Sequence, residues 1–195
     1  MRICRGWVSA ITVLFSMATG SIALGQADHV RWDIVSLAFT TPPTVSAGGI
    51  AFASANATLT IKLTGSGTFV APASRGTSGA VTGGGTWETF TSGVSTGSGT
   101  YSVTSLASWQ FANLQPPVNI DLIGPVGRGA NGNAILRIEY SDGSEGVLGV
   151  GCHGPGAPAG IQEGVIATKD FVTYWTAQPP APGVNANRTS FHFLQ

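Results

Sequence analysis

The sequence predicts an all-β fold, and three observations carry the prediction. Several segments alternate apolar and polar residues with a period of two, the pattern of strands with one face in a core. Twenty-eight glycines and eleven prolines, among many serines and threonines, disfavour helices and suit short strands joined by tight turns. Only 9% of the residues are charged while 43% are hydrophobic, so the chain has the apolar content to build a core, which disordered chains lack.

The first 27 residues read as a secretory signal peptide. Arg2 and Arg5 give a basic start, Trp7 to Ala18 form an apolar centre, and small residues allow cleavage after Gly25 or Ala27. The apolar centre is shorter than the roughly 20 residues a spanning helix needs, and Thr12 and Ser16 dilute it. Gln26 stands where a lipid-anchored protein would need a cysteine. The expectation is a secreted protein, extracellular or periplasmic, with no membrane span after signal cleavage. Residues 28–195 then read as a single all-β domain of ordinary size.

Within that domain Val30 to Phe39 reads as an opening strand, apolar on both faces and therefore central, ended by Pro42-Pro43. Ala57 to Thr64 is the clearest strand, with Leu59, Ile61 and Leu63 on one side and threonines and Lys62 on the other. Gly67 to Val70 and Thr86 to Thr91 read as strands, with loops over Gly76 to Gly85 and Ser92 to Gly99. Thr100 to Phe111 places Tyr101, Val103, Ala107, Trp109 and Phe111 on one face. Ala134 to Tyr140 and Glu145 to Cys152 flank Ser141-Asp142-Gly143-Ser144, whose Asp-Gly pair predicts a type I′ turn. That turn sets Tyr140 against Glu145 and Ile138 against Val147, and places Leu148, Val150 and Cys152 on the face opposite Leu136.

Gly164 to Thr168 and Arg188 to Leu194 complete the strands, while Lys169 to Trp175 reads equally as strand or short helix and Gln178 to Gly183 as a loop. Eight to ten strands in an antiparallel β-sandwich follow, with an up-and-down β-barrel as the alternative.

Charge and cysteine content narrow the function classes. Without the signal, seven basic residues face nine acidic ones, so no basic surface for nucleic acid is expected. Cys152 is then the one remaining thiol, and no intramolecular disulfide is expected. Beside His153 it invites a nucleophile and base reading, but neighbours on a strand face opposite ways, so the base would be His29 or His192, brought in by the fold. Burial as a small hydrophobe is the competing account of the thiol.

The three histidines show no metal-ligand spacing, and Asp142 to Glu145 is explained by turn chemistry, so no metal and no cofactor is expected. Asp121, Glu139, Asp142 and Glu163 form no close pair along the chain, though folding can bring carboxylates together. Among the aromatics, Trp87 beside glycines and the pair Tyr174-Trp175 are the expected exposed ligand-binding residues, whereas Tyr101 and Trp109 belong to an apolar face.

These features describe a secreted, non-catalytic β-domain that binds a ligand or partner, an extracellular protein or a carbohydrate, through glycine-rich loops and exposed aromatics. One alternative is a small β-barrel with a ligand cavity or an enzyme site using Cys152, a histidine or a carboxylate. The other is a structural extracellular surface protein.

Overall fold

The computed structural model describes residues 27–72, 77–125 and 127–194, so the signal reading lies, except for Ala27, outside the described residues. Fourteen strands and no helix occur among the described residues. In chain order they are β1 (Asp28–Ala38), β2 (Thr44–Ala47), β3 (Ala51–Ser54), β4 (Leu59–Leu63), β5 (Ser66–Ala71), β6 (Val81–Thr91) and β7 (Val94–Leu114). β8 (Ile120–Asp121), β9 (Gly129–Tyr140), β10 (Glu145–Cys152), β11 (Gly164–Lys169), β12 (Val172–Tyr174), β13 (Thr176–Ala177) and β14 (Thr189–Phe193) follow. The predicted all-β class is observed, with four to six more strands than expected, because short segments such as β2, β8 and β13 carry too few residues to show a period.

Sandwich and barrel are both present in part. β9, β14, β1, β5, β6 and β7 pair in that order, and β7 returns to β9, closing a six-stranded antiparallel barrel. β10, β11 and β12 extend the far half of β9, while β4, β3 and β13 extend the far half of β6. These two wings meet through β11 and β3, so the long strands β6, β7 and β9 run from the barrel into a sandwich. Within the barrel wall β5 and β6 pair closely. A Cβ at Gly83, which has φ +113°, would lie 2.3 Å from the Ser66 carbonyl oxygen, so a larger residue would push the strands apart.

Alternation explains which residues fill each compartment. On β1, Val30, Trp32 and Ile34 point inward and are wholly buried. Phe69, Trp109 and Phe191 meet them, with ring centroids 4.7 to 6.4 Å apart, so aromatic side chains plug the barrel. Burial of each such side chain contributes about 1.5–3 kcal/mol. In the sandwich, Trp87 packs edge-on against Tyr140 with centroids 5.7 Å apart. The hydroxyls of Tyr101 and Tyr140 donate to the Thr64 and Thr168 carbonyls at 2.8 Å.

Three expectations change. The loops over 76–85 and 92–99 are shorter than predicted, since β6 begins at Val81 and β7 at Val94, joined by a turn at Ser92-Gly93. In the first of these segments Gly84 pairs with β5 on one side and β7 on the other, and in the second residues 94–99 pair with β6. In β7 the register shifts between Val103 and Ser105, so Leu106, rather than Ala107, enters the core and Phe111 is exposed.

The third concerns the β9–β10 hairpin. Only Gly143 has positive φ, at +85°, and its N–H donates to the Tyr140 carbonyl at 2.9 Å while the Tyr140 N–H donates to Ser144. This is a type I turn with a glycine bulge rather than type I′. Glu145 therefore opposes Glu139 and Leu148 opposes Leu136, one residue from the predicted register. The slip turns Leu136, Ile138, Leu148, Val150 and Cys152 to one buried face.

Candidate functional site

A cleft of about 310 Å³ opens at one rim of the barrel, where β10 ends, β14 begins and the loop before β8 crosses. Val35, Leu37, Val45 and a run from Pro116 to Val118 give it apolar walls. Cys152, Glu163, Asp121, Ser190 and His192 are its polar floor.

β14 supplies the floor by alternation. Phe191 points into the barrel, so Ser190 and His192 point away from it, beneath the layer made by β2 and β8. Both are nonetheless buried, at 8% and 1% exposure. His192 bonds through Nε2 to Asp121, whose other carboxylate oxygen accepts from the Ile123 N–H at 2.9 Å. The backbone at Gly124 lies so close to the imidazole that a Cβ there would fall 2.2 Å from its ring. Neither His192 Nδ1 nor Ser190 Oγ has a hydrogen-bond partner among the described residues. Buried polar atoms are normally paired, so two orphans two residues apart on one strand face need an explanation. Asp33, opposite Ser190, is fully buried and accepts from Nε and Nη2 of Arg31, each at 2.8 Å.

The remaining floor is rigid. Gln115 Nε2 donates to the Ala130 carbonyl, to Asn131 Oδ1 and to Cys152 Sγ, each at 3.2 Å. Asn131, wholly buried, accepts from the Gly154 N–H at 2.8 Å and donates to the Pro155 carbonyl at 3.2 Å. Glu163 accepts from the backbone N–H of His153 and, at 2.7 Å, from that of Thr189, whose hydroxyl donates to the Gly151 carbonyl at 2.6 Å. Burial raises the Glu163 carboxyl to about 7, against the opposing pull of those donors.

The structure brings Cys152, His153 and His192 to the lining of the cleft and leaves His29 outside it. Cys152 is 1% exposed, and burial pushes its thiol well above the ordinary range. Its sulfur contacts Gln115 and the Thr189 carbonyl, and no histidine bonds it. His192 shares the cleft with it. His153 turns outward, as alternation required, with Nδ1 2.7 Å from the Ile161 carbonyl. His29 is exposed at the start of β1 and lies outside the cleft lining. Asp121 and Glu163 both line the cleft, whereas Asp142 binds Lys169 elsewhere.

The aromatic expectation is corrected for two of three residues. Trp87 is 5% and Tyr174 3% exposed, because both face inward between the wings, whereas Trp175 is 62% exposed. Among the described residues no Trp, Tyr or Phe side chain lines the cleft. Among the described residues no group of three or more His, Cys, Asp or Glu side chains is placed to hold a metal ion.

Ser190, Gln115 and Asn131 escaped the sequence reading. The one local signal was in Thr189–Phe193, where serine and histidine alternate with phenylalanines, so a strand with an aromatic inner face carries polar residues on the other. The chain matches no protein-family model, no curated protein and no solved structure.

Proposed function

We propose that the protein is an exported, non-catalytic β-domain that binds a small ligand in the rim cleft. One observation carries this reading: two buried polar side chains without protein partners, Ser190 and His192, sit in the floor of a cleft with apolar walls. Ligand pockets combine those two features, apolar lining and a few placed polar groups. The volume of about 310 Å³ fits a fragment-sized molecule with an apolar body and one hydrogen-bonding end. The glycine- and proline-rich loop after Cys152 forms one wall, which keeps the glycine-rich loops in the proposal. The exposed aromatics leave it, apart from Trp175 as a separate surface contact.

The test is ligand-observed NMR of the full chain against neutral fragments of about 10–18 non-hydrogen atoms. Binders are expected, and Pro117→Trp, an exposed substitution that fills the cleft mouth, should abolish their binding. Absence of binders, or binders indifferent to that substitution, would overturn the reading.

An enzyme in the same cleft has the Asp121–His192 hydrogen bond in its favour, since a carboxylate orients a catalytic histidine in this way. Against it, neither Ser190 nor Cys152 hydrogen-bonds His192, so no nucleophile is activated. Labelling of Ser190 by an alkyl fluorophosphonate would favour the enzyme.

A further inference from the structure

The polar groups around the cleft divide into donors already spent and acceptors left over. Asn131 and Glu163 take the backbone N–H groups of Gly154, His153 and Thr189, and the Thr189 hydroxyl goes to the Gly151 carbonyl. The Gln115 amide is shared among Ala130, Asn131 and Cys152, whose thiol in turn donates to the Thr189 carbonyl. Arg188 is the one Lys or Arg in the lining among the described residues. Its Nη1 donates to the Val184 and Ala186 carbonyls, and its Cζ lies 5.6 Å from the centroid of the Phe39 ring.

The imidazole of His192 adds one more acceptor. Asp121 Oδ1 accepts from the N–H groups of Ile123 and Gly124, at 2.9 and 3.4 Å, and its Oδ2 faces His192 Nε2. An ionised carboxylate accepts on both oxygens and has nothing to donate, so the hydrogen of the Asp121–His192 bond sits on Nε2. Nδ1 of the neutral ring is then a bare lone pair, without a donor among the described residues. Two residues away on the same strand face, the Ser190 hydroxyl can rotate to give a hydrogen bond or to take one.

We propose that the rim cleft selects an uncharged molecule with an apolar body and an O–H or N–H that donates to His192 Nδ1, and that Asp121 sets this preference by holding the imidazole in that tautomer. The inference rests on the cleft being a ligand site. Val35, Leu37 and Val45 take the apolar body. An ether of the same shape leaves the lone pair unanswered, and a buried acceptor without a donor costs affinity. A carboxylate or phosphate fares worse, because it brings further acceptors to a floor that already holds Asp121 and Glu163, while the N–H groups of His153, Gly154 and Thr189 are taken.

The experiment compares para-butylphenol with its methyl ether, para-butylanisole, and with para-butylbenzoate, by NMR titration of the full chain at about pH 8, above the ordinary histidine range. The phenol should bind about tenfold more tightly than either of the others, the worth of one hydrogen bond. Nitrogen NMR should show the ring hydrogen of His192 on Nε2 in the free protein, and Nδ1 should shift with the phenol but not with the ether. Asp121→Asn adds a readout that packing alone does not move. The new amide must keep its oxygen toward the Ile123 and Gly124 N–H groups, so its NH2 faces Nε2 and the ring hydrogen moves to Nδ1. The advantage of the phenol over the ether should then vanish. Equal binding of phenol and ether to the wild type, a benzoate that binds best, a ring hydrogen on Nδ1 in the wild type, or a phenol advantage that survives in Asp121→Asn would each overturn the assignment. The wild-type arms decide it even where Asp121→Asn fails to fold. Probes that bind without preference, and lose binding in Pro117→Trp, keep the cleft and remove the ligand class. No probe bound, with the ring hydrogen on Nε2, removes the cleft and the ligand class together.

Discussion

The two ends of the molecule bury ionisable groups in opposite ways. At the sandwich end Lys169 is 4% exposed, yet its ammonium bonds Asp142, Asp170 and the Ser144 hydroxyl, and lies 4.3 Å from the Trp87 ring centroid and 4.8 Å from that of Tyr140. Each donor of that ammonium has an acceptor or a ring face to meet it. At the barrel rim, among the described residues, Glu163 forms no salt bridge, and Ser190 and His192 carry orphan atoms. A buried group with all its partners holds a fold together. A buried group without them costs stability, and a binding site is one place where a protein retains such a cost.

The largest expected effect breaks the satisfied end. Lys169→Ala removes both the cation and the stem packed between the two rings, and should destabilise the protein by about 2–4 kcal/mol, as large-to-small changes in a core do. Urea unfolding measures this, and a loss well under 1 kcal/mol would show that the cage is incidental. The same cluster sets an acid limit. Hydrogen bonds from Lys169 and then Ser144 lower the Asp142 carboxyl to about 2, against an ordinary value near 4. A lowered carboxyl stabilises the fold above its unfolded value, so this contribution is intact at neutral pH and is lost as pH falls from about 4 to about 2.

The rim predicts the opposite pH slope, of smaller size. The Glu163 carboxyl is raised from its ordinary value to about 7, so the folded protein binds a proton more tightly than the unfolded chain. Its contribution is therefore fully present below about pH 4.5 and is lost as pH rises through about 7. Allowing for the part of Glu163 that still meets solvent, wild-type stability should fall by about 1–2 kcal/mol between pH 5 and pH 8. Glu163→Gln should show no such fall. Chemical denaturation at both pH values sharpens the comparison, since equal slopes for the two proteins would remove the rim's distinctive electrostatics.

The sandwich end was far more legible in the sequence than the rim. Alternation located β4, where Leu59, Ile61 and Leu63 repeat a strict period, and the Asp-Gly turn located the β9–β10 hairpin. Where the period breaks, the reading broke with it. The bulge after Val103 carried Leu106 inward, and one glycine at Gly143 chose between two turns that differ by one residue of register. Local glycine content made Trp87 look exposed, but burial is decided by the wing that packs over it.

The cleft was hidden for a different reason. Its floor joins Asp121, Cys152, Glu163 and Ser190 from four separate stretches of chain, and only barrel closure brings them together. His192 was named as a partner for Cys152, and the two do share the cleft. Its actual bond is to Asp121, 71 residues away in sequence, which no spacing rule anticipates.

The smallest expected effect on stability is the most telling about function. Ser190→Ala deletes a buried hydroxyl that bonds nothing in the protein, so removing it relieves a desolvation cost rather than a contact. The variant should be as stable as wild type or up to about 1 kcal/mol more stable, as measured by urea unfolding. If that hydroxyl serves a ligand, the same variant should bind the fragments that occupy the cleft about tenfold more weakly, the loss of one hydrogen bond. Stability held and affinity lost would separate the two ends of the molecule cleanly, since no substitution around Lys169 can produce that pair of results. A marked loss of stability in Ser190→Ala would instead mean that the hydroxyl has a structural partner, and the contrast between a satisfied and an unsatisfied end would fail at its most specific point.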